Sequence, residues 1–109
     1  MRDCINLFVV ILRQALLLLI QLTKGNANIQ KIVAFENAFD RLFDVITEEG
    51  CSGGGIVVED CLLLMLNLLR NNTSNQNFFK EGIRLHFGLK SMVLNILVAN
   101  KWGISQLAR

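Results

Sequence analysis

The chain has 109 residues, 52% of them hydrophobic and 18% charged, with no proline and a formal net charge of +2. That length suits one small domain. The composition is too apolar for a disordered chain, and the charge pattern lacks the basic footprint of a nucleic-acid binder.

The first predicted element is a helix from about Ile5 to Lys24, stopped by Gly25-Asn26 as glycine stops many helices. Ile5–Leu22 is long enough to suggest a membrane span, for which about 20 apolar residues are needed. Asn6, Arg13, Gln14 and Gln21 interrupt it. An arginine near the middle of a span costs roughly 2.5–3.5 kcal/mol on insertion scales. A signal peptide fits no better, because Arg2 is offset by Asp3 and no small-x-small cleavage site follows promptly. A buried helix of a solenoid is apolar on nearly every face, and that reading is favoured over a span at 5–22.

A short helix follows at about Ile29–Phe35. The next, about Asn37–Glu49, carries Phe39, Leu42, Phe43 and Ile46 at spacings of three and four, one apolar stripe. Its outer face carries Asp40, Arg41, Asp44, Glu48 and Glu49, and Gly50 is expected to end it. Cys51-Ser52-Gly53-Gly54-Gly55 is a flexible linker. It lacks the spacing and following lysine of a phosphate-binding loop, so it reads as a loop between stacked units. Ile56–Arg70 is the second long helix. Asn71–Asn75 is a polar turn in which Ser74 or Asn75 caps a short helix reaching Lys80. Ile83–Arg109 has no clear pattern.

The chain repeats itself. Ala15–Asn26 lies on Cys61–Asn72 without a gap, at an offset of 46 residues. Val10-Ile11-Leu12 meets Ile56-Val57-Val58, Lys24 meets Arg70, Asn26 meets Asn72, and Gln30 meets Gln76. A helical self-similarity of about 40–47 residues is the period of armadillo and HEAT arrays. The expected fold is therefore all-α, an α-solenoid fragment of about two armadillo/HEAT-like repeats. Leu18 and its equivalent Leu64 are expected to be buried between repeats. With no capping unit, Leu16–Leu19 with Ile20 are expected to present apolar surface, and so are Phe78 and Phe79 unless the tail covers them.

No constellation of residues carries chemistry. The chain has one histidine, His86, and three cysteines, Cys4, Cys51 and Cys61, with no metal-ligand spacing. The odd cysteine count fits a reducing cytosol rather than a disulfide scaffold. The carboxylates Asp40, Asp44, Glu48 and Glu49 lie at helical spacing on a solvated face, and Ser52 has no nearby base. Asn71-Asn72-Thr73 and Asn72-Thr73-Ser74 match the glycosylation pattern by chance. No catalytic, cofactor-binding or metal residue is assigned, and the expectation is a protein that is not an enzyme and displays a binding surface.

Three strings carry a more specific resemblance: Ile29–Leu42, Gly54–Leu64 and Asn75–Gly82. Together they resemble the general vesicular transport factor family, long Golgi vesicle tethers, most closely its animal members, over about Ala15–Gly82. The resemblance implies part of an armadillo-like globular head. It also implies a role in ER-to-Golgi and intra-Golgi transport. The implied partners are a Rab GTPase, golgins, SNAREs and a tether dimer partner, with no nucleic acid. It implies a cytoplasmic location, peripheral to the Golgi membrane through those partners.

Residues 1–82 are thus expected to form the repeats, and 83–109 a divergent tail. Met1–Gln14 fits the family poorly, no heptad segment or acidic tail is present, and the match stops with the repeat after Gly82. Read from the third base of the Phe87 codon, the codons through Ser91 permit Trp-Phe-Glu-Val, close to the family's continuation. The tail is therefore expected to be out of frame or aberrantly spliced, and to pack least well. The alternatives are a small membrane-anchored protein with its span at 5–22, and a truncated product without independent function.

Overall fold

The computed structural model describes residues 2–51, 55–82, 88, 91–93 and 95. Five α-helices follow one another: α1 (Arg2–Thr23), α2 (Ala27–Phe35), α3 (Ala38–Cys51), α4 (Gly55–Leu69) and α5 (Thr73–Asn77). The last runs into a π-helical turn, Phe78–Gly82. No strand occurs among the described residues. The molecule is an all-α helical-repeat fragment, as the 46-residue offset requires.

The boundaries follow from backbone chemistry. Gly25 stands at φ +65°, beyond the end of α1, where a side chain would be strained. Asn26 is extended, and its Oδ1 accepts from the Ile29 N–H at 3.1 Å. That cap starts α2 two residues before the predicted position. Asn37, predicted as the first residue of the next helix, instead sits at φ 64° and forms the break before α3. Asparagine tolerates that region better than most residues. The predicted stop at Gly50 is also corrected, since α3 continues through it to Cys51. A helical glycine costs about 1 kcal/mol relative to alanine, which weakens a helix without ending it. The predicted linker is correspondingly shorter, because Cys51 and Gly55 are both helical and only 52–54 lie between them, outside the described residues.

α4 is the central element, with α1, α2, α3 and α5 all packed on it. It buries Val57, Cys61, Leu64, Met65, Leu66, Leu68 and Leu69, the all-round apolar pattern of a covered helix. The predicted stripe of α3, Phe39, Leu42, Phe43 and Ile46, faces the same core. Phe79 is fully buried there, its ring 4.9 Å from that of Phe39 and 6.0 Å from that of Phe43. Phe78 is half-buried, edge-on to Phe35 at 5.4 Å. The expectation that both phenylalanines present apolar surface is thereby corrected. Rings from α2 and α3 cover them.

α1 contributes Leu16 to the core, with Leu12, Leu19 and Ile20 packed around it. Leu18 is 60% exposed while its equivalent Leu64 is 1% exposed, so the expected burial of Leu18 is wrong. The reason is position: α4 has a neighbouring long helix on that side, and α1 has none among the described residues. Of the predicted face Leu16–Leu19 with Ile20, only Leu17 and Leu18 are open. Among the described residues no helix is long and apolar enough to cross a membrane. Most of 83–109 lies outside the described residues, but Val93 is buried and joins the core.

Candidate functional site

Where the two repeats meet, a run of buried amides joins them. Helices end with unpaired carbonyls, and here glutamines take them up. Gln30 Nε2 donates to the Thr23 carbonyl at 2.7 Å, and Gln76 Nε2 donates to the Leu69 carbonyl at 2.8 Å. The two bonds are copies, 46 residues apart. The caps are copies as well: Asn72 Oδ1 accepts from the Asn75 N–H at 3.1 Å, as Asn26 does from Ile29. Asn72 is therefore the cap of α5, in place of the predicted Ser74 or Asn75.

Other bonds of this set cross between repeats, and one, from Asn75 to Leu68, stays within the second. Asn72 Nδ2 donates to Gln30 Oε1 at 2.9 Å and to the Ala27 carbonyl at 3.4 Å. Asn75 Nδ2 donates to the Gln30 carbonyl at 3.0 Å and to the Leu68 carbonyl at 2.8 Å. Asn67 Nδ2 donates to the Ile20 carbonyl at 2.9 Å. Gln30, Asn72, Asn75 and Gln76 are all buried, so each bond is made where a lost partner is costly. At the other end of the interface, the Arg13 guanidinium meets the largely buried Asp60 carboxylate at 3.1 Å.

Two concavities flank this seam. A polar one of about 350 Å³ lies at the C-terminal ends of α1 and α4, lined by Lys24, Gly25, Gln30, Asn67, Arg70 and Asn71. Lys24 and Arg70 are again repeat equivalents, each near the carbonyl end of its helix, where a cation is favoured. An apolar groove of about 370 Å³ runs between α1, α2 and α3, lined chiefly by Leu12, Leu16, Leu19, Val33, Leu42 and Val45. Ile32 on its wall is itself exposed, and exposed aliphatic side chains continue outside it on Leu7, Ile11, Leu18 and Leu22.

His86 and Ser52 lie outside the described residues. Arg41, Asp44 and Glu48 are exposed on α3, as their spacing predicts, while Asp40 is half-buried. Asn72, within the glycosylation-like pattern, has its amide committed to the repeat seam. The amide seam itself went unread in the sequence. Its signal was present in the pairs Asn26/Asn72 and Gln30/Gln76, which polar identity at a fixed offset already set apart.

These features define a helical-repeat fragment whose units are joined by a built polar interface. Over 73 residues, 67% of this chain, it is 71% identical to general vesicular transport factor p115 of Bos taurus. It is 52% identical over 68 residues to intracellular protein transport protein USO1 of Saccharomyces cerevisiae. It is 57% identical over 53 residues to golgin candidate 6 of Arabidopsis thaliana. Over its matched residues the chain belongs to the general vesicular transport factor family. It spans 8% of the length of the bovine relative and 4% of the yeast one. No protein-family profile matches it.

Proposed function

We propose that this chain is a protein-binding part of a vesicle-tethering factor, acting in ER-to-Golgi and intra-Golgi transport. The observation that carries this reading is the amide seam. It fixes two repeats in one register and leaves large aliphatic side chains facing outward, which suits a rigid display surface. The names of the bovine and yeast relatives support the transport role. The role in this reading is binding, without catalysis or a cofactor. The partners are those that the family resemblance implies, a Rab GTPase, golgins, SNAREs and a tether dimer partner. The location is cytoplasmic and peripheral to the Golgi membrane.

The test is replacement. In cells depleted of general vesicular transport factor p115, that protein is re-expressed with its matching segment exchanged for residues 15–82 of this chain. Restored secretory transport is expected. A chimera expressed at normal level that leaves transport blocked would overturn the assignment. The 109 residues alone are expected not to cluster vesicles, and clustering by them would show that they are more than a part.

A further inference from the structure

Where repeat equivalents differ in exposure, as Leu18 and Leu64 do, a neighbouring repeat decides the burial. Other equivalents agree. Val10 and Ile56 are 53% and 57% exposed, and Leu17 and Leu63 are 39% and 40% exposed. Lys24 and Arg70 are both exposed as well. α1 and α4 pack side by side, so α1 has its neighbour in the following repeat and α4 in the preceding one. Stacking on either side thus leaves these six positions open, and they are not a stacking face of the array.

The six lie together. Arg13 bonds Asp60, and Asn67 bonds the Ile20 carbonyl, both across 47 residues, so α1 and α4 run parallel and in register. At 100° per residue, Val10, Leu17 and Lys24 fall within an arc of about 40° on one flank of the line where α1 meets α4. Ile56, Leu63 and Arg70 fall within an arc of about 40° on the mirror flank of α4. In parallel helices those two flanks face the same way. They form adjacent rows about 21 Å long at 1.5 Å per residue, each with two aliphatic residues and then a cation. The cationic ends border the polar concavity of about 350 Å³. Toward the other end, Glu59 is exposed beside Ile56 and Leu63, and Arg13 is engaged with Asp60.

We propose, resting on the protein-binding role above, that these rows dock an amphipathic helix of a partner protein. It lies antiparallel to α1 and α4, with an acidic first turn seated between Lys24 and Arg70. Aliphatic residues seven apart on the docking helix match the steps from Val10 to Leu17 and from Ile56 to Leu63, each about 10.5 Å. Charge fixes the direction. Carboxylates are drawn to the lysine and arginine end and repelled by Glu59 toward the other. The same direction sets the partly positive N-terminus of the docking helix against the carbonyl ends of α1 and α4. Backbone chemistry selects a helix over an extended strand. Asn67 spends its Nδ2 on the Ile20 carbonyl, and α1 and α4 bond their own main chains. A strand laid there would have its N–H and C=O groups covered without partners, whereas a helix arrives with its backbone paired.

The experiment titrates the full 109-residue chain against a labelled helical peptide, read by fluorescence anisotropy. The peptide has about 18 residues, enough to span the rows, with leucines seven apart on one face and glutamates in its first turn. Saturable binding is expected. Leu17→Asp is expected to weaken it about tenfold by placing charge against the docked leucines, and Lys24→Glu about tenfold by repelling the glutamates. Leu18→Asp, also at an exposed leucine but on the stacking face, is expected to bind as the parent does. The double variant Lys24→Glu with Arg70→Glu is expected to reverse the preference and take a peptide with lysines in place of the glutamates. Helical circular dichroism of each variant is expected to match the parent. No binding by the parent chain, equal binding of a peptide with its glutamates in the last turn, or an equal loss in Leu18→Asp would overturn the proposal. So would tighter binding of an extended, proline-containing acidic peptide, or binding of phosphatidylserine vesicles, through Leu17 and Lys24. Peptide binding is read without transport activity, so the docking surface and the tethering role fail separately.

Discussion

Asn26 and Asn72 occupy the same place in two repeats and make the same cap, yet their environments differ. Asn26 is exposed and its side chain accepts from the Ile29 N–H, while the Asn72 side chain, in a residue 3% exposed, also bonds Gln30 and Ala27. Asn26→Ala is expected to cost about 1 kcal/mol, the usual worth of a cap. Asn72→Ala is expected to cost about 1–3 kcal/mol more, because it also orphans the buried Gln30 oxygen. Denaturant melts of the two variants make the comparison, and equal losses would mean that the seam adds nothing. Leu64→Ala is expected to cost about 2–5 kcal/mol, and Leu18→Ala under about 0.5 kcal/mol in the monomeric state. The offset of 46 matched these residues correctly in the sequence, but not their surroundings. Equivalence in a repeat specifies a shape, and burial depends on whether a neighbour is present. The role of Gln30 and Gln76 was hidden for a related reason: Gln30's cross-repeat partner is 42 residues away, beyond any local pattern.

At the scale of elements, the apolar stripes were legible and the ends were not. The stripe of α3 was plain from its spacing, whereas Gly50 and Asn37 exchanged roles. Glycine was tolerated inside the helix, and asparagine took the left-handed turn. The π turn after α5 was unreadable because its phenylalanines are fixed by Phe35, Phe39 and Phe43, far back in the chain. Phe79→Ala is expected to cost about 3–5 kcal/mol. It is also expected to lower hydrogen-exchange protection in α3 along with α5, since the ring joins them. Loss confined to α5 would show that the ring contacts are incidental. Arg13→Ala, which leaves the Asp60 carboxylate 9% exposed and unpaired, is expected to destabilise the α1–α4 pair by about 1–3 kcal/mol. Pairing it with Asp60→Asn should recover part of that loss in a double-mutant cycle.

For the whole molecule, stability is nearly one-dimensional. Each unit of a solenoid leans on the next, and roughly three are usual for an independent fold. Two units with an open helix face are therefore expected to melt at a temperature that rises with protein concentration, because association stabilises by mass action. A melt independent of concentration over a hundredfold range would show that the two repeats suffice alone.

The amides between the repeats also keep the helices from sliding. Leu16–Ile20 and Leu62–Leu66 are runs of similar aliphatic side chains, and a shift of one turn would still bury grease against grease. The same slip would strand Gln30, Asn72 and Asn75 without partners in a dry interface, each at about 1–3 kcal/mol. Apolar matching thus makes the helices stick, while the amides reject every alignment but one. Replacing Gln30 and Asn72 together by leucine should then give a chain that remains helical but loses its single set of sharp amide resonances. It would have traded one native alignment for several of nearly equal energy.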